Sequence, residues 1–150
     1  MTSERHVWLS PRAVSRPHLF EAARSLIGDD EPRGVVAQSA VEVAFETAID
    51  FALQMRDVHD PLREWIITTP VRSWSPENER VQTLWAALTG DAVTQAASWS
   101  SYKAGVKWRH AFVHRASAVP RDQAEAFVDA AEQLVEHVVQ VMVDTFPDPV

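Results

Sequence analysis

The chain has 150 residues, about the size of one domain, and an apolar fraction of 46% is enough to bury a continuous core. It has no cysteine, which excludes a disulfide framework, a thiolate metal site and a thiol nucleophile, and fits a reducing cytoplasm. A formal charge of -7 argues against general nucleic-acid binding, and no apolar run approaches the roughly 20 residues of a bilayer span, so a soluble cytoplasmic protein with no membrane partner is expected.

Residues 1–17, with Pro11 and Pro17, read as an extended arm, and residues 18–150 as one helical domain. His18 to Ile27 reads as a short helix ended near Gly28. From Val35 to Met55 the apolar residues Val36, Ala40, Ala44, Ala48, Phe51 and Met55 recur at helical spacing, which predicts the first long core helix. The stretch "DPLREWIITTPVRSW" is open between one helical turn and two before Pro70. Ser75 as a cap and Pro76 at the first helical position then predict a helix through "PENERVQTLWAALTG" that stops at Gly90.

Ser98 or Ser100 opens the next helix, which runs to about Arg115. Pro120 starts the longest one, ended near Phe146 by Pro147 and Pro149. In it Ala124, Phe127, Ala131, Leu134, Val138 and Val141 alternate three and four apart, and Val128, Val135, Val139 and Met142 widen the stripe, predicting burial on more than one side. With four glycines and no Asn-Gly or Asp-Gly turn, hairpin signals are missing. The expected fold is all-α, an up-and-down bundle of four to five helices.

Between Asp91 and Asp122 the sequence has no acidic residue, while Lys103, Lys107, Arg109, Arg115 and Arg121 fall inside the gap. One face is therefore locally positive on an acidic body. Within that gap, in "KWRHAFVHR", four residues separate Arg109 from His114. A guanidinium can grip a phosphate and its developing charge, and an imidazole of pKa about 6.5 can move protons at neutral pH, so the pair suits phosphodiester cleavage with no metal or other cofactor. Spacing alone is weak evidence. Among twelve arginines and six histidines such pairs arise by chance, and Arg12 with His18 is another, on the arm.

The segment "WRHAFVH" resembles the signature of HEPN domains, small all-α modules whose motif is Arg, usually a polar residue, a few further positions and His. Arg109 matches the Arg, His110 the polar follower and His114 the His. The motif falls on the penultimate predicted helix, a long apolar helix follows, and "AQSAVEVAFETAIDF", with Gln38 and Glu42, resembles the first core helix of these domains. The likeness covers roughly residues 18 to 146. It implies a homodimer in which two motifs meet and cleave RNA without metal. Arg109 would bind the phosphate, His114 would transfer protons as the ribose 2′-OH attacks, and His110 and Glu42 would support them. It also implies a toxin or defence setting. One subgroup carries a Tyr two residues beyond the motif His and is silenced by a nucleotidyltransferase; Ala116 stands there instead, which speaks against that form of control. Control then falls to an inhibitory protein partner or to dimerisation. A catalytically silent module binding a nucleotide or a protein stays open beside this reading, as does an unrelated structural bundle.

Five residues at about 100° each place Arg109 and His114 some 140° apart around a straight helix. Either the helix end unwinds or a second copy completes the site. Gly105 reads as a point of close helix approach or as a tolerated interior glycine. His110 and His114, four apart, form only a weak metal pair without further ligands, so no metal is expected. Glu42, Glu46 and Asp50 form a ladder able to receive Arg109 across the bundle, or else a solvated face. Trp108 and Phe112 are open between core packing and base stacking, with core the expected use of the six tryptophans. Lys103, Lys107 and Arg115 are the residues expected to guide RNA.

Overall fold

The computed structural model describes residues 30–68, 73–115 and 121–147; for Asp30 to Val35, Arg109 and residues 111–115 this covers the backbone alone. The arm, the His18–Ile27 helix and their boundary lie outside the described residues. Five α-helices form an all-α bundle: α1 (Asp30–Met55), α2 (Asp60–Thr68), α3 (Glu79–Thr89), α4 (Trp99–Arg115) and α5 (Arg121–Thr145), with a 3-10 turn at Val93–Gln95. There is no strand among the described residues.

Helix α1 is the axis of the bundle and packs against all four other helices. Its inward residues include Ala37, Ala40, Ala44, Ala48 and Ala52, whose small side chains let neighbours approach, with Val41, Phe45, Ile49 and Leu53 filling the gaps. At 26 residues it is the longest helix, one residue longer than α5. It begins five residues before Val35, because Pro32 falls in the first turn, where its missing N–H costs nothing. Helix α5 packs against α1, α3 and α4, the burial on more than one side that its broad stripe predicts. It also keeps a solvent row at Asp122, Ala126, Asp129, Gln133, Glu136 and Gln140. Met55, expected in the core, is 43% exposed.

The chain leaves α1 through a left-handed residue, Asp57, with φ 57°. The Val58 N–H reaches back to Leu53 O at 3.0 Å and the Asp57 N–H to Gln54 O at 3.0 Å, a Schellman closure. Asp takes the place usually held by Gly, which its short side chain tolerates. In the undecided stretch after it, Asp60–Thr68 form a single helix, α2. Arg63 docks α2 onto α1 by donating to Asp50 Oδ1 at 3.2 Å. So Asp50, one rung of the carboxylate ladder, is engaged by Arg63, while Glu46 is exposed. Helix α2 itself buries no residue and exposes Leu62 and Trp65.

Helix α3 starts three residues later than Pro76 suggests. Asn78 caps it, its Oδ1 accepting from the Arg80 N–H at 3.0 Å while its Nδ2 donates to Ser73 O. Asn78 satisfies a helical N–H that Ser75 is too far upstream to reach. The predicted stop at Gly90 is observed, with φ 78° and its N–H on Ala86 O. Across the core the Phe45 and Trp85 rings meet edge to face at 5.6 Å. Of the other tryptophans described, Trp74, Trp99 and Trp108 are half-buried and Trp65 is half exposed. At one end of the bundle the Arg56 guanidinium donates to Leu88 O at 3.0 Å and lies 5.0 Å from the Phe146 ring centre. One side chain thus ties the ends of α1, α3 and α5.

Gly105 fixes the seat of α4. A Cβ built there would lie 2.8 Å from Phe127 Cγ and 3.0 Å from Phe127 Cβ, so α4 and α5 are closer than any other residue at 105 permits. The Phe127 ring also stacks on Tyr102 at 5.4 Å. The close approach read from the sequence is real, and its partner is α5 of the same chain. Gly105→Ala improves helix propensity by about 1 kcal/mol. It also forces Phe127 aside, an overpacking that costs about 1–3 kcal/mol. A lower urea midpoint is expected, recovered by adding Phe127→Leu; a midpoint unchanged in the single variant would show that the ring swings away freely.

Candidate functional site

The sequence directs attention to α4. It is a continuous α-helix from Trp99 through Arg115, so the motif does not sit on an unwound end. Tyr102 and Val106 are buried and Gly105 faces Phe127, which sets the inward row. Lys103, Lys107 and His110 are all exposed. At about 100° per residue these three lie within a 60° arc, one outward row of the helix.

Backbone register places the rest of the motif. Position 109 is seven residues after Tyr102 and three after Val106 along the helix. Position 114 is four after His110 and seven after Lys107 along the helix. Arg109 and His114 therefore stand on different rows, about 140° apart. Arg115 belongs to neither, about 120° round from Lys103. The structure thus brings Lys103, Lys107, His110 and position 114 together along one line.

Glu42 stands half-buried on α1 and Gln38 half-buried one turn before it. Trp108 is half-buried, between the two uses weighed for it, and the Phe112 side chain lies outside the described residues. No group of three or more His, Cys, Asp or Glu able to hold a metal ion occurs among the described residues. No described helix is long and apolar enough to cross a membrane.

One constellation has no counterpart in the sequence reading. Asp91, directly after the Gly90 cap, accepts on Oδ2 both the Trp85 indole N–H at 2.8 Å and a hydrogen bond with His137 Nε2 at 2.9 Å. A carboxylate oxygen only accepts, so the imidazole is the donor of that bond. The tie joins α3, the turn after it and α5. His137 and Asp91 are 46 residues apart, and neither lies on a periodic row that would announce the contact. The sole local signal is an Asp after a C-cap glycine.

Asp91→Ala leaves the buried indole N–H and the imidazole without their acceptor, an expected loss of about 1–3 kcal/mol in urea unfolding followed by tryptophan fluorescence. Asp91→Asn keeps an acceptor oxygen and is expected to lose less. Equal losses would show that the carboxylate's bonds do not hold the turn.

The chain matches no known protein-family model, no curated protein and no solved structure.

Proposed function

We propose that this protein is a metal-independent endoribonuclease whose working site is composite, assembled where two copies of the chain bring their α4 helices together. The observation that carries the reading is the unbroken course of α4. Its register separates Arg109 from His114 by about 140°, so a site using both draws them from two chains. The resemblance of "WRHAFVH" to the HEPN motif supplies the chemistry. A two-fold axis makes the arrangement self-consistent, since each copy gives what the other lacks.

In this reading Arg109 of one copy grips a non-bridging phosphate oxygen and the charge that gathers on it. His114 of the other takes the proton of the ribose 2′-OH as that oxygen attacks phosphorus. The P–O5′ bond breaks, the 5′ oxygen leaves with a proton returned from imidazolium, and a 2′,3′-cyclic phosphate remains. His110, Glu42 and the basic residues Lys103, Lys107 and Arg115 support the substrate and the pair. The biological setting is a cytoplasmic toxin or defence effector held in check by an inhibitory partner or by dissociation.

Cleavage of RNA in EDTA is the expected activity. Arg109→Ala and His114→Ala are each expected to lower it by about 10²–10⁴-fold with helical circular dichroism unchanged. Mixing the two inactive variants is expected to restore about a quarter of wild-type activity, since half the dimers are mixed and each holds one intact site. Activity that survives both substitutions, or that EDTA abolishes, overturns the proposal. Mixing without recovery overturns the composite site. The net charge of -7 favours a second reading, a catalytically silent module that binds a nucleotide or a protein, and RNA left intact by the wild-type chain would select it.

A further inference from the structure

We infer that the exposed face of α2 formed by Pro61, Leu62 and Trp65 is the docking site for the chain's own residues 5–16, "RHVWLSPRAVSR". Nothing in the contact uses α4, so it stands whether or not the chain cleaves RNA.

The face follows from the register of α2. Arg63 turns to Asp50 of α1, and Ile66 and Ile67, half-buried, pack against the core. At about 100° per residue those inward positions leave Pro61, Leu62 and Trp65 within an arc of about 100° on the far side of the helix. All three are exposed, Leu62 at 52% and Trp65 at 53%. An outward tryptophan beside an outward leucine is apolar surface that gains by leaving water.

The surroundings of that face are acidic. Glu64 borders it about 60° round from Pro61, with Asp60 beyond on the same side. Asp57 stands in the turn before α2, and all three carboxylates are exposed. Residues 57 to 68 hold no lysine, and their one arginine, Arg63, is shared by Asp50 and Asp60. The neighbouring Arg56 is turned to Leu88 O. A matching occupant is therefore apolar at its centre and cationic at its flanks; an anionic lipid surface or a nucleic acid is repelled.

Size selects a short segment over a folded partner. Half of one tryptophan and half of one leucine expose on the order of 200 Å², against roughly 800 Å² per partner at a stable interface between folded proteins. A second globular copy needs far more than this face offers. A peptide with one aromatic anchor does not.

Residues 5–16, outside the described residues, carry that chemistry in their sequence. Val7, Trp8 and Leu9 are consecutive apolar residues, Arg5, Arg12 and Arg16 flank them, and no acid falls between Glu4 and Glu21. Chain length allows the contact within one molecule. The Arg63–Asp50 pair sets α2 beside a position twenty residues after Asp30, about 30 Å along α1. Trp8 precedes Asp30 by twenty-two residues. With ten of them helical, as the sequence predicts for His18 to Ile27, that length still spans about 55 Å. A tether of this kind holds the segment near the face at about millimolar effective concentration.

Hydrogen exchange of the full-length chain, read by mass spectrometry, tests the contact. Amides of residues 5–16 are expected to exchange about tenfold more slowly than in the free peptide of the same sequence. L62S/W65S changes exposed side chains only, and is expected to remove that protection with helical circular dichroism unchanged. R12E/R16E is expected to weaken it, as is added salt on the wild-type chain. Because the chain has no cysteine, a thiol pair can be placed cleanly. S10C/T68C is expected to close an intrachain disulfide under mild oxidation, and S10C/S101C, with its second thiol on α4, is not. Exchange at the free-peptide rate in the wild-type chain overturns the inference. So does protection that L62S/W65S leaves unmoved, or a disulfide that forms equally in both pairs, since either puts the segment elsewhere. Protection that rises with protein concentration overturns the contact within one molecule by assigning the face to the segment of another copy.

Discussion

The missing side chain at Gly105 sets the rotation of α4. Phe127 occupies the space a Cβ would need, so the helix presses its 105 position against α5 and can do so in one rotational setting only. Tyr102 stacks on the same ring, and Val106 is buried. Once those three positions face inward, the pitch of an α-helix leaves no freedom in what faces out. Lys103, Lys107 and His110 are outward because Gly105 is inward. An interior glycine that costs helix stability is thereby coupled to the chemistry of the opposite face, since a different seat for α4 would turn another row to solvent.

That seat is held by a frame with little polar content. Among buried residues of the described core Ser98 is the single polar one, and the rest is a continuous apolar cluster centred on the alanine-rich face of α1. Close packing over a small-residue axis keeps interhelical distances short and side chains few in their options. Polar contacts appear at the perimeter. Arg56 gathers three helix ends, Arg63 docks α2, and Asp91 binds α3 to α5 through Trp85 and His137. These ties fix how elements end and meet. They use up several of the charged residues that a reading of composition alone would count as available for a ligand.

Sequence legibility follows the range of the interaction. Gly90 was readable as a stop because a left-handed cap needs only its own residue, and the rows of α1 and α5 were readable because helical period is local. The start of α3 was misplaced by three residues because Ser75 and Asn78 are both competent caps, and only the path of the preceding turn decides between them. Asp50 looked like a possible acceptor for Arg109, but Arg63, thirteen residues on, reaches it once the Asp57 turn folds α2 back. The Asp91 tie was invisible for the same reason over a longer range. In the candidate site, the acid-free gap and the 140° between motif residues were legible. Which of those rows faces solvent was not, because Phe127, which decides it, lies twenty-two residues after Gly105 and signals only as one more apolar residue on its own helix.

Net charge is a poor guide to what such a surface attracts. A polyanion at distance meets the -7 of the whole chain, screened beyond roughly 8 Å at physiological salt. At contact it meets the nearest charges, and along α4 those are all positive. The balance between these two ranges means that long-range steering is unfavourable while local binding is favourable. A strongly basic surface would accept any nucleic acid. A single basic file on an acidic body favours a polyanion only where close contacts outweigh the repulsion of the whole chain.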